Sequence, residues 1–183
     1  MSEAAIYEFG SRVYCSDADC GELLQVVVEP DVPRLSQLVV CSIADGAARL
    51  VDPALARATR YGVLLDCAKS VFDRFPAAPV HNTTRPAAPQ SLPEAQRVPE
   101  AQTRIRRGDH VRALDGDAGR VLGLIVRPED EAITHVLLAV GHLWHRRHAA
   151  VPVDYVAGLG FAGLDVLLTK SQVADFVAPA MRQ

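Results

Sequence analysis

The chain has 183 residues, 49% of them hydrophobic but only 5% aromatic, and its 19 basic and 22 acidic side chains leave a formal charge of -3. That balance excludes the broad positive field on which non-specific nucleic-acid binding depends, and the aromatics are too few for a base-stacking platform, so no direct DNA binding is expected. The longest apolar run, around Gly158 to Leu168, is cut by Asp165, and the opening Met1-Ser2-Glu3 is acidic where a secretory leader is basic; a cytoplasmic protein without membrane insertion is expected.

Arg12–Cys15 reads as a first short strand and Ser16–Gly21 as a turn. Leu23–Val28 is a β-branched strand stopped by Glu29-Pro30-Asp31, and Leu35–Ser42 is the third strand. Asp45-Gly46 marks a reversal, Ala48–Val51 a fourth strand and Gly62–Cys67 a fifth, after which Val71, Phe72 and Phe75 have helical spacing. From 76 to 103, six of the 12 prolines fall among Ala and Gln without a hydrophobic pattern. This predicts a flexible Pro/Ala-rich linker, long enough for the units on either side to pair within one chain or exchange between chains. Strand patterns return at His110–Leu114, Val121–Val126, Ile133–Val140, Ala149–Val151 and Leu164–Leu168. Thr169-Lys170-Ser171-Gln172 has the capping-box form, opening a helical turn that buries Val173 and Phe176.

The two halves are one pattern written twice. A shift of 98 positions carries Gly10, Val13, Asp17, Asp19, Gly21, Leu24, Val28 and Pro30 onto Gly108, Val111, Asp115, Asp117, Gly119, Leu122, Val126 and Pro128 without a gap. Between these matches aliphatic replaces aliphatic, so the copies share a core and a turn plan. The expected organisation is a domain at 1–75, a linker at 76–103 and a domain at 104–183. Units this small bury too little surface to be robust alone, and association through them is expected, within the chain or as a homodimer. Short strands with turns at close intervals predict a mainly β fold of two small antiparallel barrels, each closed by a short helical turn.

Gly108-Asp109-His110-Val111, Asp115 to Gly123, the strand Ile133–Val140, Ala149 to Val156 and the closing Leu167-Leu168-Thr169-Lys170 together resemble a PRC-barrel domain. The resemblance covers nearly all of the second copy and the front half of the first, which has Leu50-Val51-Asp52-Pro53 where the second has Val151-Pro152-Val153-Asp154. It implies a small β-barrel used for docking, as in the cytoplasmic part of the photosynthetic reaction centre H subunit and the C-terminal part of a ribosome maturation factor. It brings no catalytic residues; Gly108, Gly119 and Pro152 match as scaffold positions.

Asp115-Gly116-Asp117 resembles the opening of a calcium loop, but Gly119 and Val126 stand where ligands five and twelve would be, and the acids are read as local turn acceptors, as are Asp17 and Asp19. His142 to His148 holds the only Trp and three of the six histidines beside two arginines. Metal binding there, with His135 or His110 adding a ligand, competes with a partner contact, for which Trp beside Arg is the typical composition. Trp144, His145, Arg146, Arg147 and His148 are therefore the candidate partner-binding residues. Arg104, Arg106, Arg107 and Arg112 would add a basic patch. The four cysteines all lie in the first copy, and Ala113, Ala118 and Ala139 replace Cys15, Cys20 and Cys41 in the second; buried thiols, a redox pair and half a metal site all remain open.

No nucleophile motif or Gly-rich phosphate loop appears. The expectation is a non-enzymatic protein-binding module without a cofactor. The alternatives are a ribosome- or RNA-associated factor and a His-loop metal or Cys-based redox protein.

Overall fold

The computed structural model describes residues 4–29, 31–78, 103–141, 147–160, 163–176 and 178. The first copy runs through β1 (Ala5–Glu8), β2 (Arg12–Tyr14), β3 (Asp19–Glu29), β4 (Arg34–Ser42) and β5 (Ala48–Val51). A 3-10 turn at Pro53–Leu55 then leads to β6 (Ala56–Thr59), β7 (Gly62–Leu65) and the short helix α1 (Lys69–Phe72). The second copy repeats the order as β8 (Thr103–Arg106), β9 (His110–Ala113), β10 (Gly116–Val126), β11 (Ile133–Val140) and β12 (Arg147–Pro152). It ends with a 3-10 turn at Val153–Tyr155, β13 (Val156–Gly160), β14 (Gly163–Val166) and α2 (Lys170–Asp175).

The result is mainly β, in two seven-stranded sheets with the same plan, β5-β4-β3-β2-β7-β6 and β12-β11-β10-β9-β14-β13. Each is built on a long hairpin, β3–β4 or β10–β11, whose Val/Leu runs are buried on both faces. In each hairpin a glycine, Gly21 or Gly119, passes so close to the Cys41 or Ala139 carbonyl that a β-carbon would collide with it. One contact in each sheet corrects the expectation of purely antiparallel pairing: β2 lies parallel to β7, and β9 parallel to β14. These strands are not consecutive, and the 3-10 turn between β5 and β6 brings the β6–β7 hairpin back with β7 running in the direction of β2.

The copies exchange their first strands. β1 pairs with β10, Ala5 opposite Val126 through Glu8 opposite Gly123, and β8 pairs with β3, Gln25 opposite Arg106 through Val28 opposite Thr103. After each exchanged strand the chain crosses back into its own sheet through a glycine turn, where Gly10 N donates to Leu23 O (2.8 Å) and Gly108 N to Val121 O (2.9 Å). Gly10 and Gly108 both have positive φ, 87° and 84°, which a side chain would strain. The hairpin tips also meet: Leu35 N donates to Glu131 O (2.9 Å), Ile133 N to Pro33 O (2.7 Å), and Arg34 pairs with Glu131 at 3.1 Å. Every one of these backbone bonds has a counterpart 98 residues away, so the chain folds as a pseudo-dimer of itself.

A single hydrophobic core follows from the exchange, taking Tyr7, Phe9, Leu23 and Leu38 from one copy and Ile105, Leu124, Val136 and Leu138 from the other. Pro76–Ala78 runs along β5, and Phe176 and Ala178 bond to β12, each at an edge of its sheet. They also cap two smaller apolar clusters, Val27, Val39, Ala48 and Ala78, and Ile125, Leu137 and Ala150 with Ala178 beside it. Pro76–Ala78, at the head of the expected linker, is thus bonded to the first sheet, and Thr103 at its tail opens β8.

Asp17 and Asp115 do more than local turn chemistry. Each accepts a 2.8 Å hydrogen bond from the first backbone N–H of a helix, Lys69 N and Lys170 N, 52 and 55 residues on, tying the β2–β3 and β9–β10 turns to α1 and α2. Asp117 does act within its turn, accepting from Gly119 N at 3.1 Å. The Thr169–Gln172 capping box is formed, with Gln172 Oε1 accepting from Thr169 N at 2.9 Å.

Candidate functional site

Of the five residues singled out for partner contact, Trp144, His145 and Arg146 lie outside the described residues. Arg147 and His148 open β12, opposite Val140 and Ala139. Arg147 is exposed, and the His148 carbonyl accepts from Ala178 N at 3.0 Å. The further metal candidates stand apart: His110 Nδ1 lies 3.3 Å from Asp117, and His135 Nδ1 lies 3.0 Å from the Thr134 hydroxyl. Among the described residues no three His, Cys, Asp or Glu side chains converge.

The arginines read as a basic patch are divided among separate tasks. Arg104 and Arg106 belong to β8, where burial and the neighbouring Arg106 lower the pKa of Arg104. Arg106 pairs with Asp109, and Arg107 reaches the first copy at Gly10. Arg112 holds Asp165 in a two-pronged pair, Nε to Oδ1 at 2.7 Å and Nη2 to Oδ2 at 3.1 Å, which raises the pKa of Arg112. Cys15 and Cys20 are joined as a disulfide across the β2–β3 turn with their Cα atoms 5.8 Å apart, inside the normal range, whereas Cys41 and Cys67 are free. Burial and the carboxylates of Asp17 and Asp66 push the Cys67 thiol up.

The chemically distinctive surface lies on β9, β14 and the turn before β13. Alternation points Val111, Leu164 and Val166 into the core, so Arg112 and Asp165 face outward, and the next outward row falls on Leu114 and Leu167. Leu114 N donates to Leu168 O (2.9 Å) and Leu167 N to Tyr155 O (2.8 Å), which sets Leu114, Leu167 and Tyr155 side by side across three segments. They are 68%, 56% and 41% exposed. Phe176 of the segment after α2 extends the row, its ring centroid 5.7 Å from that of Tyr155.

The first copy supplies an internal control. There Ser16 N donates to Cys67 O (2.9 Å) and Asp66 N to Leu55 O (2.8 Å), the same two bonds at the same places. Ser16, Asp66 and Leu55 therefore occupy the positions of Leu114, Leu167 and Tyr155. A fold that accepts an exposed serine and aspartate there does not require leucines, so the scaffold does not dictate the exposed apolar side chains of the second copy.

No family model matches this chain, and no curated protein matches it. The row therefore has to be read from its own chemistry: it offers aliphatic and aromatic surface and one firmly paired Arg–Asp couple, with no unpaired nucleophile and no cluster of acids and bases. Sequence reasoning missed it because the offset between the copies is 98 at Leu114, 100 at Tyr155 and 101 at Leu167. A comparison that followed the 98-residue shift to its end would not have set Asp66 against Leu167.

Proposed function

We propose that this protein is a non-enzymatic docking module of two PRC-barrel-like copies, each sheet wrapping toward a closed barrel, and that it binds protein through the second copy. The observation that carries this reading is the Leu114–Tyr155–Leu167 row, whose two exposed leucines stand where the same backbone on the other copy carries Ser16 and Asp66. Tyr155 is of a residue type enriched among interface hot spots, and the two leucines add exposed apolar surface beside it. The exchanged strands hold the two copies in one body, which suits a scaffold more than a pair of independent binders.

The test is capture of partners from lysate by three tagged forms: wild type, Leu114→Ser with Leu167→Asp, and Trp144→Ala. Loss of specific partners in the first variant, with its thermal midpoint within a few degrees of wild type, supports the reading. Equal capture by all three sinks it. Partners lost on nuclease treatment would instead favour the ribosome- or RNA-associated alternative. A second reading, a Cys-based redox protein, has the Cys15–Cys20 bond in its favour. It requires that bond to cycle under thiol reductants while the fold persists.

A further inference from the structure

We propose that Cys15, Cys20 and Cys67 form a three-thiol relay in the first copy, in which Cys67 carries disulfide exchange between a small thiol in solution and the buried Cys15–Cys20 bond. The relay goes beyond the docking surface, which lies on the second copy, and deepens the redox reading by naming how that bond is reached. Cys15 follows β2, Cys20 is in β3 and Cys67 comes just after β7. Because β2 lies between β3 and β7, Cys15 stands between the other two. On one side it is bonded to Cys20. On the other, Ser16 N donates to Cys67 O at 2.9 Å. A parallel-strand bond of that kind sets the residue before the donor beside the acceptor residue at strand spacing, roughly 5 Å, which lies within the Cα–Cα range of a disulfide. Cys15 belongs to the hydrophobic core and Cys67 packs against that core, so both side chains turn inward.

Access separates the three. Cys15 and Cys20 are 4% and 0% exposed, whereas Cys67 is partly exposed and is the one a solvent thiol can meet. The second copy fills the same places with Ala113 and Ala118, by the 98-residue shift, and with Leu168, by the matching bond from Leu114 N to Leu168 O. The fold thus needs sulfur at none of them. In the exchange the Cys67 thiolate attacks Cys15 Sγ: the Cys67–Cys15 bond forms, the Cys15–Cys20 bond breaks, and Cys20 leaves as a thiolate that takes up the proton Cys67 gave to solvent. Attack on a disulfide sulfur runs in line with the bond being broken, and the strand order puts attacker and leaving group on opposite flanks of Cys15. A solvent thiolate then attacks Cys67 Sγ and releases Cys15, and a second solvent thiol resolves that mixed disulfide. Two solvent thiols become one disulfide, and the chain's bond becomes two thiols. Burial and the Asp17 and Asp66 carboxylates favour protonated Cys67, so the attacking thiolate is a minor species at neutral pH and the exchange is slow.

The test treats the purified full chain with reduced glutathione, quenches samples with an alkylating agent and maps the bonds by peptide mass spectrometry, with circular dichroism reporting the fold. Wild type is expected to lose the Cys15–Cys20 bond while folded. Cys67→Ala is expected to lose it at least about tenfold more slowly. Cys41→Ala, which removes a thiol on β4 that bonds to Gly46 O, is expected to match wild type. A second measurement does not depend on how the Cys67 variant folds. Cys20→Ala, carrying the residue that the second copy has there, is expected to form a Cys15–Cys67 disulfide with oxidised glutathione, and Cys15→Ala to leave Cys20 and Cys67 unjoined. Absence of the Cys15–Cys67 bond in Cys20→Ala overturns the proposal, as does a Cys20–Cys67 bond in Cys15→Ala. If the folded chain is reduced equally fast with and without Cys67, the relay is wrong and the redox reading stands. If the bond opens only as the fold is lost, both fall.

Discussion

Cutting the chain between its copies should leave one particle that now dissociates on dilution. A protease site placed near Pro89 would break the 24-residue connection between Ala78 and Thr103 while leaving every described strand intact. Each fragment alone would hold a first strand with no strand to pair with, uncovering the sides of Tyr7 and Phe9 in one, and of Ile105 in the other, that face the other copy, all at most 4% exposed in the intact fold. It would also leave β10 or β3 with four residues unpaired. The fragments are therefore expected to co-elute in size exclusion and to separate only on unfolding. A tether of this length supplies an effective concentration of about 1 mM. At about 10 µM nicked protein its removal costs about 2.7 kcal/mol of apparent stability. For a chain of this size that lowers the thermal midpoint by roughly 5–11 °C, with roughly 3–6 °C more for each further tenfold dilution. Differential scanning fluorimetry at three concentrations, before and after cleavage, reads this directly. Two folded fragments that elute separately, or a nicked midpoint independent of concentration, would refute the strand exchange.

Alkali should weaken the fold through one phenol. Burial first, and the negative charge of Glu131 second, push the Tyr7 pKa up to about 12 from 10.0. The neutral form is thus favoured by folding: its contribution is fully present below pH 10 and is lost as pH rises toward 12, amounting to about 2.7 kcal/mol over those two units. Tyr7→Phe should lose the 3.4 Å bond to Ala56 O but show a flatter alkaline limb in urea denaturation; parallel limbs would contradict this. Reduction is the third perturbation. The Cys15–Cys20 bond closes a loop of about six residues, for which chain entropy gives about 2 kcal/mol, or roughly 4–8 °C in midpoint. Cys15→Ala with Cys20→Ala, the pair of residues found at Ala113 and Ala118, should match the reduced wild type. A midpoint unmoved by reductant, or four reactive thiols in unreduced native protein, would show the bond to be absent.

The elements legible in the sequence were those whose signal is local. The Val/Leu runs of β3, β4, β10 and β11 are long enough to read, and Thr169 to Gln172 states its own cap. β1 and β8 are not legible as strands, because Ala-Ile-Tyr-Glu and Thr-Arg-Ile-Arg are only four residues each, too short to establish an alternation. Their partners lie 115 or more and 75 or more residues away, so no nearby turn marks the pairing. Arg104 and Arg106 consequently looked like surface charge, when they alternate with the inward Thr103 and Ile105 on an exchanged strand. Asp17 and Asp115 were legible as acceptors but not as the anchors of helices more than 50 residues on. Of the candidate site, Arg147 and His148 fall at the head of β12, while the apolar row depends on the β9–β14 contact, which joins strands with no short connection between them.

Strand exchange also sets a timetable for synthesis. Glu8 at the end of β1 pairs with Gly123, and Ala5 with Val126, so the first strand waits for 118 further residues after Glu8 before its partner is complete. At about 5–20 residues per second that is roughly 6–24 s during which β1 has no strand to pair with. The first copy is in the same position until β8 has been made. A nascent chain stalled between Ala78 and Thr103 would therefore present a half-built sheet with an open β3 edge, the species that chaperones and neighbouring ribosomes on the same message would meet.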